Sequence, residues 1–168
     1  MKNLLAAVAV IAGCGSSTSG SPGGAVTQSD INDSCAQSCA AQKKCTSTVD
    51  ETTCVNNCKN SAASYAGKVR SDYVALLNDC VRTASCDKLG ACDQTSKASI
   101  APTANVQTFC DELLKKHVEC KFADTNKARC LENFKVFSDN AIDSARTCLT
   151  KACGDYGSCV LSTLGVKF

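Results

Sequence analysis

Cysteine is the residue type that offers the most chemistry in this chain. The sequence has 15 cysteines among 168 residues, together with a single histidine and no tryptophan. A thiol can form a disulfide, bind a metal as its thiolate, act as a nucleophile or carry a lipid. Because the number of cysteines is odd, they cannot all pair with one another within the chain. Cysteine at this density in a short chain is typical of a secreted, disulfide-stabilised scaffold.

The spacing of the cysteines favours disulfides over their other uses. Structural zinc sites are commonly built from C-x2-C pairs, and the sequence contains none. A thioredoxin-type redox motif and covalent haem attachment also require C-x2-C, so its absence argues against both. We therefore predict no metal and no cofactor, and we assign fourteen cysteines to disulfides. They are Cys35, Cys39, Cys45, Cys54, Cys58, Cys80, Cys86, Cys92, Cys110, Cys120, Cys130, Cys148, Cys153 and Cys159.

His117 is the one histidine that could serve as a general base, and Asp111 and Glu119 lie close to it in sequence. It borders an apolar helical stripe, which is typical of a half-buried surface histidine. No nucleophile elbow and no glycine-rich phosphate loop accompanies it. The 18 basic and 16 acidic residues give a net charge of +2, which is too balanced for general binding of nucleic acid. We predict a protein that is not an enzyme, has no catalytic residues and does not bind nucleic acid.

The remaining cysteine, Cys14, follows a short hydrophobic segment near the N-terminus. Residues 4–12 form an unbroken apolar run, which has the length of a signal-peptide core and is too short to span a bilayer. The segment Ile11-Ala12-Gly13-Cys14 resembles the lipobox of bacterial lipoproteins. The resemblance implies that the chain is cleaved before Cys14 and that its thiol carries diacylglycerol, which would anchor the protein to a membrane.

A flexible tether is predicted after Cys14. Residues 15–24 consist only of glycine, serine, threonine and proline, a composition that does not pack. In Gram-negative members of the lipoprotein family, an aspartate directly after the lipidated cysteine favours the inner membrane. Gly15 stands there in this chain, so the resemblance implies the outer membrane. The alternative is an ordinary signal peptide that is cleaved near Gly15 or Ser21, with Cys14 incidental.

The other fourteen cysteines fall into two sets with similar spacing, which indicates an internal duplication. The matched pairs are Cys35 and Cys110, Cys45 and Cys120, Cys54 and Cys130, Cys80 and Cys148, Cys86 and Cys153, and Cys92 and Cys159. The sequence therefore predicts two tandem repeats of about 65 residues, a size at which a hydrophobic core alone is marginal. The predicted organisation is a signal peptide 1–13, a lipidated cysteine and linker 14–28, a first repeat 29–95, a connector 96–102 and a second repeat 103–168.

Two cysteines of the first repeat, Cys39 and Cys58, have no counterpart in the second. Because their joint absence is explained by the loss of one bond, we predict a Cys39–Cys58 disulfide. The alternative is a twin C-x3-C hairpin, in which Cys35 bonds to Cys58 and Cys39 bonds to Cys54. The second repeat has Leu114 and Phe134 at the two vacant positions.

The spacing of the apolar residues predicts an all-α fold of two small, disulfide-stapled helical bundles. A C-x3-C motif places both thiols on one helical face, and Ile31, Cys35 and Cys39 form such a stripe. Strict alternation of apolar and polar residues is essentially missing, which argues against strands. Disulfides stabilise small cores by about 2–4 kcal/mol each and persist in oxidising compartments.

These features predict a lipid-anchored, extracytoplasmic protein that acts as a non-catalytic interaction or envelope-structural module. Two copies of one surface favour binding over chemistry, because they provide avidity. The expected partners are a membrane, bound through the diacylglycerol, and a protein at the cell surface. One alternative is a secreted, cysteine-rich effector. The other is a carrier of a small hydrophobic ligand, whose cavity would be lined by Leu113, Leu114, Phe134, Phe137 and Leu149.

Overall fold

The structure is a computed structural model of the chain, and it describes residues 23–123 and 125–166. These residues form eight α-helices, three short 3-10 helices and no β-strand, which confirms the predicted all-α, disulfide-rich fold. The N-terminal unit contains α1 (Gln28–Cys45), α2 (Glu51–Ala62), α3 (Ser71–Thr83) and α4 (Cys92–Ala98). The C-terminal unit contains α5 (Ala104–Glu119), α6 (Lys127–Phe134), α7 (Asp139–Arg146) and α8 (Tyr156–Thr163).

Polar side chains determine where several helices begin. Thr27 and Asp30 form a capping box at the start of α1, in which each side chain binds the other residue's backbone N–H. Asp50, Asn126 and Ser138 cap α2, α6 and α7 in the simpler way, by accepting a hydrogen bond from an N–H group of the first turn. These boundaries therefore follow from local sequence signals.

The two units pack their helices in the same order. In each unit the first helix packs against the second and the third, and the third packs against the fourth. The buried face of α1 carries Ile31, Cys35 and Cys39, as their spacing predicted, and Phe109 and Cys110 are buried on α5. The thin core of each unit therefore lies around its first and third helices.

Seven disulfides join all fourteen cysteines of the described residues. Four of these bonds lie in the N-terminal unit and three in the C-terminal unit. Three bonds of the N-terminal unit have a counterpart at corresponding positions of the C-terminal unit. The fourth, Cys39–Cys54, has no counterpart among the described residues of the C-terminal unit. The corresponding bonds are Cys35–Cys58 and Cys110–Cys130, Cys45–Cys86 and Cys120–Cys153, and Cys80–Cys92 and Cys148–Cys159.

The predicted Cys39–Cys58 bond is wrong, and the twin C-x3-C hairpin is correct. Cys35 bonds to Cys58 and Cys39 bonds to Cys54. Because α1 and α2 run antiparallel, the cysteine one turn later in α1, Cys39, meets the cysteine one turn earlier in α2, Cys54. The matching of Cys130 with Cys54 is also wrong, since Cys130 takes the place of Cys58 in its own hairpin. The second unit therefore lacks one bond of the first, the Cys39–Cys54 bond.

Two short extended segments join the units to each other. Segments 68–70 and 136–138 run antiparallel and exchange two backbone hydrogen bonds of 2.9 and 2.7 Å. Residues 68–72 and 135–139 share the sequence Lys-Val-x-Ser-Asp, so the segments that meet are alike. The buried apolar residues of both units belong to one cluster. The two units therefore form one packed body.

Residues 23–28, which we expected in the flexible linker, are part of this body. Val26 is buried, and its N–H donates to the Val69 carbonyl at 2.9 Å. The Gly23 carbonyl accepts from the Asp139 N–H at 3.1 Å. Gly23 has a φ of +86°, and a Cβ there would lie 2.4 Å from a carboxylate oxygen of Asp139, so glycine is required. The start of the described chain thus contacts both units where they meet.

The expected connector 96–102 is structured as well. Helix α4 extends to Ala98, and Lys97 and Ile100 are buried. The boundary predicted at residue 95 therefore falls within a helix. A connector that packs this closely limits independent movement of the two units.

Arg70 is the most buried charged side chain of the junction between the units, with 3 % of its surface exposed. Its Nε donates to the Asp72 carboxylate at 2.9 Å, and a terminal nitrogen completes the ion pair. Its other terminal nitrogen donates to the carbonyl oxygens of Ala101 at 2.7 Å and Lys135 at 3.0 Å. One guanidinium group thus connects α3, the connector and the C-terminal unit.

Candidate functional site

The structure places the predicted cysteines in bonds and not in a reactive site. Among the described residues, one set of metal-ligand atoms lies close together, from Glu119, Cys120 and Cys153. The two sulfurs are bonded to each other, so neither is the thiolate that a metal site requires. The predicted signal peptide 1–13, the predicted lipidation site Cys14 and residues 15–22 of the predicted linker lie outside the described residues.

His117 is half-buried, and its ring belongs to an aromatic cluster. Ring centroids lie 5.9 Å from Phe122 and 6.0 Å from Tyr156. The neighbouring acids that we considered as its partners bind lysines instead. Glu119 pairs with Lys116 at 2.8 Å, and Asp111 pairs with Lys127 at 2.6 Å.

Two exposed apolar side chains, Val118 and Phe122, form what we call the α5 patch, and the Phe122 ring also belongs to the aromatic cluster. They are 66 % and 48 % exposed. The turn that follows α5 holds them in place, because Lys121 adopts a left-handed conformation with a φ of +59°. The Phe122 N–H then donates to the His117 carbonyl at 2.9 Å, which is the bonding of a Schellman motif.

The α5 patch lies far from the point where the N-terminal segment enters the body. The Thr103 hydroxyl, at the start of α5, donates to the Asp139 carboxylate at 2.6 Å, and Asp139 also bonds to Gly23. Val118 lies near the other end of α5. At 1.5 Å per residue the helix separates the two points by about 20 Å.

Most of the residues expected to line a ligand cavity in the C-terminal unit lie in the hydrophobic core or against it. The Phe134 ring meets Phe109 edge-on, with centroids 4.9 Å apart, and lies 6.2 Å from Phe137. Phe134, Phe137 and Leu113 are buried. Leu149 is half-buried and packs against this core, and Leu114 is half-buried. Four of the five positions, Leu113, Phe134, Phe137 and Leu149, therefore contribute to the hydrophobic core.

A cleft of about 250 Å³ lies in the N-terminal unit, between α1, α3 and the turn before α4. Sequence reasoning missed it, because its residues come from three separate segments. One signal was available in the sequence. Asp93 follows Cys92, whereas the apolar Val160 follows the matched Cys159. The cleft is lined by Ser38, Gln42, Leu77, Val81, Leu89, Gly90, Cys92 and Asp93.

The carboxylate of Asp93 is held at this cleft by two buried partners. One oxygen accepts from the Tyr73 hydroxyl at 2.5 Å, and the other accepts from the Lys97 ammonium at 2.7 Å. Burial and the hydrogen bond to Asp93 both raise the pKa of the Tyr73 phenol above its usual value. Tyr73 therefore stays protonated and donates its hydrogen bond throughout the physiological pH range.

The three tyrosines should give the folded protein an unusual alkaline titration. Burial also raises the pKa values of Tyr65 and Tyr156. Phenols of the unfolded chain ionise at about pH 10, whereas the raised pKa values keep those of the folded protein protonated to higher pH. The free energy of unfolding should therefore fall as the pH rises above about 10, by about 1.4 kcal/mol per pH unit for each suppressed ionisation.

Phenolate absorbance during a pH titration measures this effect. We expect the phenolate signal of the folded protein to develop above the ordinary tyrosine pKa, with Tyr73 protonated until the protein unfolds. A Tyr73→Phe variant should lose less stability per pH unit than the parent. A phenolate signal that develops near the ordinary tyrosine pKa, with helical structure intact, would contradict the burial of these side chains.

Comparisons with protein-family models, with curated proteins and with solved structures gave no match for this chain. Within the described part of the chain, no helix has the length and the apolar character that a membrane span requires. The seven disulfides indicate an oxidising, extracytoplasmic environment.

Proposed function

We propose that this protein is a bacterial lipoprotein, anchored by a lipid on Cys14, that presents a rigid, non-catalytic interaction module outside the cytoplasm. One observation carries the proposal. The fourteen other cysteines bond to one another, so Cys14 has no cysteine of its own chain left to pair with. It stands at the end of Ile11-Ala12-Gly13-Cys14, where the lipoprotein family carries its lipid.

The short connection between Cys14 and the body supports an anchoring role. Cys14 and Gly23 are nine residues apart, which is at most about 30 Å of extended chain. Gly23 lies at the junction of the two units, so the attachment point is central. A lipid on Cys14 would hold the whole body close to a bilayer, and Gly15 favours the outer membrane.

The position of the α5 patch supports an interaction role. Val118 and Phe122 are exposed at the end of α5 that lies about 20 Å from the attachment point. Exposed apolar side chains next to aromatic rings are the groups that protein interfaces use. A body anchored at Gly23 would present this patch away from its attachment point, toward a protein at the cell surface.

Replacement of Cys14 by serine tests the anchor. We expect the unaltered protein to partition with membranes, to start at an acylated Cys14 and to gain fourteen alkyl groups only after reduction. Cys14→Ser should move the protein to the soluble fraction, because serine offers no thiol to the lipid transferase. Intact mass spectrometry of both fractions, from a bacterial host, measures each result.

The matched control is Ser16→Ala, which changes a residue of the same segment and leaves the four lipobox residues intact. This variant should stay with the membrane and carry the same acyl mass as the unaltered protein. A soluble, unacylated mature chain would overturn the anchor and favour the secreted effector. Alkylation of described cysteines without reduction would instead overturn the disulfide assignment.

A further inference from the structure

The cleft of the N-terminal unit has two ends of different chemistry. Leu77, Val81 and Leu89 provide apolar surface, whereas Asp93 and Gln42 provide hydrogen-bonding groups. Its volume of about 250 Å³ exceeds the roughly 150 Å³ of an apolar cavity that holds benzene. A ring with one or two substituents would therefore fit.

The polar end is electrically neutral and fixed. The Asp93 carboxylate binds the Lys97 ammonium at 2.7 Å, and both side chains are largely buried. The Tyr73 hydroxyl holds the other carboxylate oxygen. An ionised carboxylate can accept about four hydrogen bonds, so capacity is left for a further donor. Because Lys97 already balances the charge, a second cation would be buried without a counter-ion, and a neutral donor is favoured.

The C-terminal unit has different residues at the positions that correspond to two sides of this cleft. Gln42 lies three residues before Cys45, and His117 lies three residues before the corresponding Cys120. In the same way, Leu89 precedes Cys92 and Tyr156 precedes the corresponding Cys159 by three residues. In the C-terminal unit the His117 and Tyr156 rings contact each other, with centroids 6.0 Å apart. The residues that correspond to Gln42 and Leu89, which both line the cleft, thus contact each other in the C-terminal unit.

The polar group is also confined to the N-terminal unit. Asp93 directly follows Cys92, whereas Val160 follows the corresponding Cys159. The buried Leu113 stands where the N-terminal unit has Ser38. The oriented acceptor and the small side chain beside it therefore occur together at the cleft, and apolar residues stand at both corresponding positions of the C-terminal unit.

We propose that this cleft binds a small, neutral, ring-sized molecule that carries one hydroxyl donor, with its ring against Leu77, Val81 and Leu89 and its hydroxyl on Asp93. The phenols and benzylic alcohols form this chemical class. The inference is independent of the lipid anchor, since every residue that it uses lies in the described body.

The test uses p-cresol as the probe, with binding to the purified oxidised protein followed by amide chemical shifts in NMR. We expect saturable shifts of residues that line the cleft. Toluene lacks the hydroxyl, so it should bind at least about fivefold more weakly, which is the typical worth of one hydrogen bond. Equal affinity for toluene and p-cresol would overturn the role of Asp93.

Two variants place residues of the C-terminal unit at the corresponding positions of the cleft. Leu89→Tyr and Ser38→Leu should each weaken p-cresol binding at least about tenfold, because the added atoms occupy the cleft. The matched control is Leu76→Tyr, which places the same side chain on the exposed side of α3 and should leave affinity unchanged. Disulfide mass and circular dichroism establish that each variant is folded.

Three results would overturn the proposal. The first is the absence of saturable shifts with p-cresol. The second is unchanged affinity in whichever cleft variant folds. The third is a set of shifts confined to the α5 patch, which would show adsorption on an exposed apolar surface.

Discussion

Replacement of Arg70 by methionine is expected to lower the free energy of unfolding by about 3–5 kcal/mol, the usual cost of breaking a buried ion pair. Methionine keeps most of the side-chain volume, so the loss isolates the guanidinium group. Its removal takes a donor from the carbonyl oxygens of Ala101 and Lys135 and leaves the Asp72 carboxylate with only the Tyr73 backbone N–H. Each buried acceptor that loses its donor adds to the cost.

Arg82 provides the matched control for this substitution. It lies on the same helix, α3, and pairs with Asp79, but both side chains are more than half exposed. Exposed ion pairs contribute about 0–1 kcal/mol, so Arg82→Met should change stability little. Guanidinium denaturation of the oxidised proteins compares the two variants. Equal losses would mean that Arg70 is not a structural connection between the units.

Removal of the Cys45–Cys86 bond, as a double alanine variant, is expected to cost about 4 kcal/mol. The bond joins residues 41 positions apart, which is the longest separation among the described disulfides. None of the other three bonds of this unit bridges the chain from residue 58 to residue 80. The loop that opens in the unfolded chain is therefore long, and the gain in its entropy is large.

The corresponding Cys120–Cys153 bond gives an internal comparison. It spans 33 residues, and like Cys45–Cys86 it joins a half-buried cysteine to an exposed one. Loop entropy changes only slowly with length, so its removal should cost nearly the same, about 4 kcal/mol. Two-state denaturation in guanidinium measures both variants. A loss below about 1 kcal/mol in either would contradict the entropic account.

The fold class was predictable because helices depend on nearby residues. The stripe Ile31, Cys35 and Cys39 is buried, as its spacing indicated. Ser138, which the sequence offers as a helix start, caps α7. The bond between Cys39 and its partner was not predictable in the same way. The count of missing counterparts favoured Cys58, whereas the antiparallel direction of α1 and α2 requires Cys54.

The candidate sites show the same division. His117 was identified as a half-buried surface histidine, and the structure places it so. The cleft was missed, because Gln42, Leu89 and Asp93 come together only when α1, α3 and the turn before α4 are packed. The spacing of residues within one segment cannot predict contacts between three separate segments.

The sequence by itself determined the chemical use of the cysteines and the helical class, because both depend on composition and short-range spacing. It also supplied the lipobox resemblance at Cys14 and the two matched sets of cysteines, which stay predictions of an anchor and a duplication. The tertiary structure alone decided the pairing within α1 and α2, the burial of Arg70 and the packing of residues 23–28. Each of these depends on segments that are distant in sequence. The pairing requires α1 and α2 to pack against each other, whereas the other two form only when the units meet along segments 68–70 and 136–138.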